Sequence, residues 1–402
     1  MIDVEPLFDW LVDGTPGATT PAQVVERLCR GAIEAGIPLA RTEAFVRTLH
    51  PQIVGRSFLW RPGEPVQVRE NTYAYLSSPA FANGPVGAVF RSGQPGRFRL
   101  DRGEGGGMFG LDELAREGVT DYLAGPLRFM NGQVHAITFA TAAAGGFTDE
   151  AVAALMRLLR PLSRVAEILA LSRTAANLLN TYVGHDAGER ILAGKIQRGD
   201  SDTIHAALWF SDLRDFTRLS NTVPPAELVR VLNDLFDCQV PAIERHGGEV
   251  LKFIGDGMLA IFSVHDESAR AAVCGQALAA TTEAFAALDA LNRDRDQRGE
   301  PPLAVGVSLH LGEVAYGNIG GAARLDFTCI GAAVNLAARI EGLTGALSKR
   351  LLLSEEFARA TEHPVREVGA FNLKGVAGAM RVFEPTSTTD AGPAAGEPAA
   401  PR

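Results

Sequence analysis

The chain has 402 residues, is 46% hydrophobic and carries a formal net charge of −9, a length that suggests about two or three domains with real cores. The acidic balance excludes a general nucleic-acid binder, which is normally basic. Cys29, Cys238, Cys274 and Cys329 stand far apart with no C-x-x-C pair, which excludes a disulfide framework or a zinc site and fits a reducing cytoplasm.

The chain starts "MIDVEPLFDWLVDG", without the basic, apolar and small-residue sections of a signal peptide. No uninterrupted apolar run reaches the roughly 18 residues needed to cross a bilayer; Ala151 to Leu171 comes nearest and is broken by Arg157, Arg160, Pro161, Arg164 and Glu167. Residues 1–148 mix strand-like runs with Gly/Pro turns, the pattern of an α+β domain of sensor size. "PAQVVERLCRGAIEAG" reads as an amphipathic helix with Val24, Leu28 and Ile33 on one side, and "TEAFVRTL", "GAVFRSG" and "VHAITFATA" are strand candidates. "DYLAGPLRFMNGQVHAITFATAAAGGFTDEAVAALMRLL" gives strand, turn, strand, then a helix opening at "FTDE". Thr148 suits the N-cap, and Asp149 and Glu150 suit the positive end of the helix dipole. This segment resembles the end of a GAF domain, which implies a GAF-like sensor over residues 1–148 and names no ligand.

Residues 149–203 read as a helical linker for dimerisation and coupling. Val152, Leu155, Leu159 and Leu162 recur at 3-4-3 spacing, which serves a core-facing helix or a dimer seam equally well. Pro161 is expected to kink this helix or divide it in two. "TYVGHDAGERILAGKIQRGDSDTIH" reads as a polar linker holding two short helices punctuated by glycine.

Residues 204–385 read as a second α/β domain. "HAALWFSDL" is an apolar strand ending in Asp212, and a helix follows from the prolines to Gly247-Gly248. "LKFIGDGMLAIF" is strand, tight turn, strand, and "ESARAAVCGQALAATTEAFAALDALNRD" is a long helix. The remaining strands, the helix "AAVNLAARIEGL" and a closing hairpin complete a ferredoxin-like split βαβ plan, so the fold class is α+β. The tail 386–402, "TSTTDAGPAAGEPAAPR", lacks material for a core and is expected to be disordered.

Five features carry chemistry. Asp212 at a strand end and Asp256 at a hairpin tip are placed to bridge two divalent ions, and Mg²⁺ favours one or two carboxylates plus substrate phosphates. Asn335 and Arg339 lie at i and i+4 on one helical face; Arg offers fixed donors to charge growing on phosphorus. Lys374 sits among glycines that allow close phosphate approach. Lys252 is a lone charge on an apolar strand. Taken singly, each has an ordinary explanation as a strand-end cap, a polar face or a surface lysine.

Taken together, "FSDLRDFT", "GGEVLKFIGDGMLAIF", "GVSLHLGEVAYGNIG", "DFTCIGAAVNLAARIEG" and "LKGV" resemble class III nucleotidyl cyclases, the adenylate/guanylate cyclase family, over about Ala206 to Pro385. The resemblance implies roles. Asp212 and Asp256 match the metal-binding aspartates, for two Mg²⁺ or Mn²⁺ per site. Asn335 and Arg339 match the transition-state pair. Lys374 matches the lysine for the terminal phosphates, with Phe216 and Thr217 in the phosphate-holding loop. Lys252 matches the base-reading lysine. Its partner position carries Thr328, as in one subgroup of adenylate cyclases, whereas guanylate cyclases typically use Glu and Cys at these two places. Lysine only donates, so it suits adenine N1 and not guanine N1–H, and a threonine hydroxyl can accept from the adenine amino group. Cys329, one position on, should face the other side of its strand. Asp215 departs from the usual Gly and is expected to strain the loop; Ala332 replaces a frequent Asp.

The expected activity is that of an adenylate cyclase, a phosphorus–oxygen lyase converting ATP to 3′,5′-cyclic AMP and pyrophosphate. The site is expected between two copies of the chain, with the aspartates from one and Lys252, Thr328, Asn335, Arg339 and Lys374 from the other. A homodimeric, cytoplasmic enzyme is implied, free of nucleic acid and membrane, with an effector at the N-terminal domain. The rivals are a guanylate cyclase, which Lys252 disfavours, and a catalytically silent nucleotide-binding regulator. A diguanylate cyclase, suggested by "HGGEV", is a third, but that motif here leads straight into a strand.

Overall fold

A computed structural model describes residues 2–376 and 378–386. The tail expected to be disordered lies outside the described residues except for Thr386, whose N–H donates to the Pro364 carbonyl at 2.9 Å. The chain divides into two compact units, Met1–Leu178 and Leu179–Arg402.

In the first unit, α1 (Glu5–Val12) and α2 (Pro21–Glu34) precede β1 (Arg41–Arg47), β2 (Ile53–Trp60) and β3 (Gln67–Thr72). Then come α3 (Pro79–Ala82), α4 (Pro85–Ser92), β4 (Gly96–Phe98), α5 (Leu111–Arg116), β5 (Asp121–Arg128), β6 (Val134–Thr141) and α6 (Asp149–Val183). The strands make one six-stranded sheet in the order β3-β2-β1-β6-β5-β4, antiparallel throughout. Thr20 caps α2 by accepting from the Gln23 N–H at 3.3 Å, while the Gln23 side chain accepts from the Thr20 N–H at 3.1 Å; this reciprocal box fixes where the helix starts. Its buried face is Val24, Val25, Leu28, Cys29 and Ala32, packed with Leu155, Leu158, Leu159 and Leu162 of α6 in one core. Ile33, expected on that face, is 40% exposed instead.

Two further expectations fail here. "GAVFRSG" belongs to helix α4 and not to a strand: Pro85 sits at its start and Gly93 ends it in the left-handed region at φ +65°. Those stop signals outweigh the β-propensity of a short apolar run. Pro161 does not divide α6, which runs unbroken for 35 residues. A proline removes one backbone hydrogen bond, and burial of Leu158, Leu159, Leu162 and Val165 on both sides of it offsets that loss at about 1.5–3 kcal/mol per side chain. The expected N-cap holds, since the Thr148 hydroxyl accepts from the Ala151 N–H at 3.1 Å.

The second unit opens with α7 (His185–Leu192), the one helix in a linker where two were expected; after Leu192 the chain turns directly into β7 (Ser201–Leu213). Next come α8 (Phe216–Ser220), α9 (Pro225–Arg245), β8 (Glu249–Ile254), β9 (Gly257–Val264), α10 (Arg270–Gln297), β10 (Val305–Gly321) and β11 (Arg324–Ile330). The chain continues through α11 (Ala332–Glu341), α12 (Leu343–Ala346), β12 (Leu351–Ser354), α13 (Glu355–Ala360), β13 (Val365–Asn372) and β14 (Ala379–Pro385). The sheet runs β13-β14-β12-β10-β7-β9-β8, with β11 pairing β10. Its β10-β7-β9-β8 section is antiparallel, which is the strand order of the expected split βαβ plan. Alternation along β7 sends Ala207 and Trp209 into a core with Leu235, Ala242, Ala277 and Leu288 of α9 and α10, and Ala206 and Leu208 into a second core with Ala187, Ala333 and Ala337 of α7 and α11. By composition α10 is apolar enough to cross a bilayer, yet Val273, Cys274, Ala277, Ala280, Ala284 and Leu288 are buried in that first core.

Candidate active site

The end of β7 and the turn between β8 and β9 meet because β7 and β9 are neighbours, with Ser211 opposite Met258. Asp212 follows Ser211 and Asp256 precedes Gly257, so the register brings both carboxyls to one end of the sheet. Gly257 makes the approach possible: a Cβ there would stand 2.7 Å from the Ser211 carbonyl and 3.0 Å from Asp212 Oδ1. The two carboxyls stand near each other at that end of the sheet. Burial first, then Asp256, then the more distant charge of Glu341, pushes the Asp212 carboxyl up to about 7. Two crowded hard-oxygen donors are what a Mg²⁺- or Mn²⁺-sized cation prefers. Among the described residues no three His, Cys, Asp or Glu side chains cluster to hold a metal.

Lys252 stands on β8 just after a bulge, since Val250 faces Ala260 and Lys252 faces Leu259 with Leu251 inserted between them; bulges re-aim the side chains beside them. Its Nζ lies 3.4 Å from Asp326 Oδ2 on β11. Thr328, opposite Gly317 of β10, is buried, and its hydroxyl has no hydrogen-bond partner among the described residues. Cys329 and Phe327 point instead into the core with Val314 and Tyr316, as the alternation requires. Burial pushes the Cys329 thiol up to about 11.

On α11, Asn335 is exposed and Arg339 half-buried. The β13–β14 hairpin brings its turn to the same place: a Cβ on Gly375, next to the exposed Lys374, would sit 3.6 Å from an Arg339 guanidinium nitrogen. No hydrogen bond or ion pair joins Arg339 to Asp212 or Asp256 among the described residues. One chain thus carries an acidic pair and, not joined to it, a basic group at Arg339 and Lys374; among the described residues no hydrogen bond or ion pair joins Lys252 or Thr328 to either aspartate. The match to known proteins covers this unit. Residues 200–384 match the adenylate and guanylate cyclase catalytic domain.

Over that stretch the second unit is similar to the adenylate and guanylate cyclase catalytic domain. Over 173 residues the chain is 35% identical to an adenylate cyclase from Anabaena cylindrica, covering 42% of this chain and 33% of that protein. It is 30% identical over 196 residues to adenylate cyclase 1 of Rhizobium meliloti strain 1021, covering 46% and 29%. The chain thus spans about a third of the length of the curated relatives it matches. Among solved structures, the guanylyl cyclase Cya2 is 31% identical, with 46% of this chain and 92% of that one covered and a TM-score of 0.41.

Within the second unit, Asp215 adopts the left-handed conformation at φ +57° and opens α8, which holds a half-buried Phe216 and an exposed Thr217. Asp tolerates this region better than most residues, at roughly 1 kcal/mol, so the expected strain is local. Two site-side groups were missed from the sequence. Glu341 ends α11 as a buried carboxylate that accepts from the Thr344 hydroxyl at 3.2 Å; burial raises it above the ordinary carboxylate range. Its signal was a charged residue in the core-facing register of "LAARIEG". Asp326, two residues before Thr328, was readable as a same-face neighbour.

Proposed function

We propose that this chain is an adenylate cyclase that converts ATP to 3′,5′-cyclic AMP and pyrophosphate between two copies of itself. The observation that carries the reading is the separation within one chain: Asp212 and Asp256 stand together with no basic partner among the described residues, while Arg339 and the Lys374 turn meet without a bond to either. A second copy, set so that the two halves face each other, supplies each with its complement. The exposed Ile168, Leu171, Leu178 and Tyr182 on α6 fall at coiled-coil spacing and support a self-associating chain.

Asp212 and Asp256 are the residues that would hold divalent cations, Mg²⁺ or Mn²⁺, two per site; such ions would supply Lewis-acid charge to the reacting hydroxyl and the phosphates. A bound cation would offset both the burial and the neighbouring Asp256 charge that raise Asp212. Arg339 donates to the charge that grows on the α-phosphate as the ribose 3′-oxygen attacks and pyrophosphate leaves. Asn335 orients the ribose. Lys374 holds the terminal phosphates, with Phe216 and Thr217 at the loop beneath them. Lys252 donates to adenine N1, and the unpartnered Thr328 hydroxyl accepts from the adenine amino group. A wrong base leaves these groups unpaired, which discriminates by up to about 10⁴-fold in a tight site.

Residues 1–148 we take as a GAF-like regulator acting through α6; deletion of residues 1–180 should alter basal rate or ligand response, and no change in either refutes that role. Four buried free cysteines accord with a reducing, cytoplasmic setting. The decisive experiment incubates purified protein with ATP or GTP and Mn²⁺ and identifies the product. Cyclic AMP from ATP is expected. Cyclic GMP as the main product would favour a guanylate cyclase, and no cyclic product a silent regulator.

A further inference from the structure

Lys252 and Thr328 leave the base pocket short of a group that fixes the lysine. Lys252 is a flexible stem ending in three rotatable donors, and such an ammonium discriminates only when something holds it. Asp326 is that something. It lies two residues before Thr328 on β11, hence on the same face of the strand, and its Oδ2 takes Lys252 Nζ at 3.4 Å. Phe327, between them, is turned into the core. Thr328 faces Gly317 across the β10–β11 ladder, so no side chain crosses from β10 to meet it. Its buried hydroxyl has no partner, and a buried polar group left unmade costs about 1–3 kcal/mol. The carboxylate that takes the ammonium and the orphaned hydroxyl thus share one face of β11.

We infer that Asp326 is a specificity-determining, positioning residue: it fixes Lys252 so that a free N–H of the ammonium meets adenine N1, and it selects adenine over guanine. The inference rests on the cyclase reading above and deepens it. The carboxylate occupies one lysine donor and leaves two, which limits the directions the others take. It also keeps Lys252 from folding away toward solvent, since the ammonium is partly exposed. Guanine offers N1–H where adenine offers a lone pair, so a fixed donor there is matched by one base and opposed by the other. Because the ion pair is half-exposed, it contributes little to stability, and its loss should register in substrate choice and not in folding.

The test uses the full chain with Mn²⁺, and ATP and GTP as competing substrates, in wild type, Asp326→Asn, Asp326→Glu and Lys252→Ala. Asp326→Asn is expected to raise KM for ATP about tenfold with kcat within about threefold, and to lower the ATP/GTP ratio of kcat/KM about tenfold. Asp326→Glu, which keeps the charge, should recover most of that ratio, and melting temperatures should stay within about two degrees of wild type. An Asp326→Asn enzyme whose ATP KM and ATP/GTP ratio stay within about twofold of wild type, while Lys252→Ala collapses the ratio, overturns the role of Asp326 and leaves the base reading intact. If Lys252→Ala also leaves the ratio unchanged, the base reading falls and this inference with it. Wild-type protein that makes no cyclic product overturns both.

Discussion

His135 in the first unit and Asp212 in the second are both displaced from their ordinary titration ranges, in opposite senses. His135 is fully buried, with the Phe129 and Phe90 rings at 4.0 and 6.0 Å. Its Nδ1 accepts from the Arg47 N–H at 3.1 Å, and Nε2 has no partner. Burial, helped by the Arg47 charge, lowers it to about 4, so the ring is a neutral piece of the core. Asp212 is raised by burial first and then by the second carboxyl, Asp256, beside it. Packing inside the first unit accounts for the histidine, whereas the aspartate has a neighbouring carboxyl as well as burial against it, a combination that a bound cation would offset. The contrast separates a residue serving stability from one whose environment points to a ligand.

Replacing Asp212 or Asp256 by Ala tests the second half of that contrast most severely. Cyclic AMP formation should fall below about 1% of wild type, with circular dichroism unchanged; retention of a tenth of the activity would mean the acidic pair is not the catalytic half-site. Arg339→Ala comes next, with kcat expected to drop about 10²-fold and KM to move less than about threefold. A change confined to KM would make Arg339 a ground-state contact.

Smaller effects concern stability. In metal-free protein, Asp212→Asn should stabilise the second unit by about 1–2 kcal/mol at pH 7, a figure discounted for the partial exposure of the site. The sign follows from linkage: a folded pKa raised above the unfolded value means that stability is fullest below about pH 4 and declines as pH rises toward about 7. Asp212→Asn should flatten that decline in denaturant titrations run with chelator, and a parallel slope in both proteins would show that Asp212 ionises freely. For His135 the folded value is lowered, so the first unit should lose stability as pH falls from about 6.5 toward about 4. His135→Leu should reduce that loss by up to about 1 kcal/mol at pH 5, read from hydrogen exchange of β6 amides. Equal acid sensitivity in the variant would assign the loss to other groups.

Several parts of this protein were legible in one dimension for identifiable reasons. Gly255-Asp256-Gly257 could only be a tight turn, and the apolar runs beside it could only be strands, so the β8–β9 hairpin followed. Helix α11 and its Asn335–Arg339 face followed from spacing. "GAVFRSG" misled because a short apolar run fits either state, and the proline and glycine bounding it carried the information. Pro161 misled because a local rule was applied to a helix whose two halves are buried in one core. The linker misled because glycines at 194 and 199 mark turns as readily as helix ends.

By itself the sequence determined the alternation of faces, the turn positions and the identity of the chemical groups, because these depend on residue type and near neighbours. The tertiary structure alone decided that Asp212 and Asp256 crowd each other, that Thr328 is left with a buried hydroxyl and no partner, and that Asp326 reaches Lys252. Those are distances between strands remote in the chain, and they are set by register, a bulge at Leu251 and the packing of helices on both faces of the sheet. No local propensity encodes them.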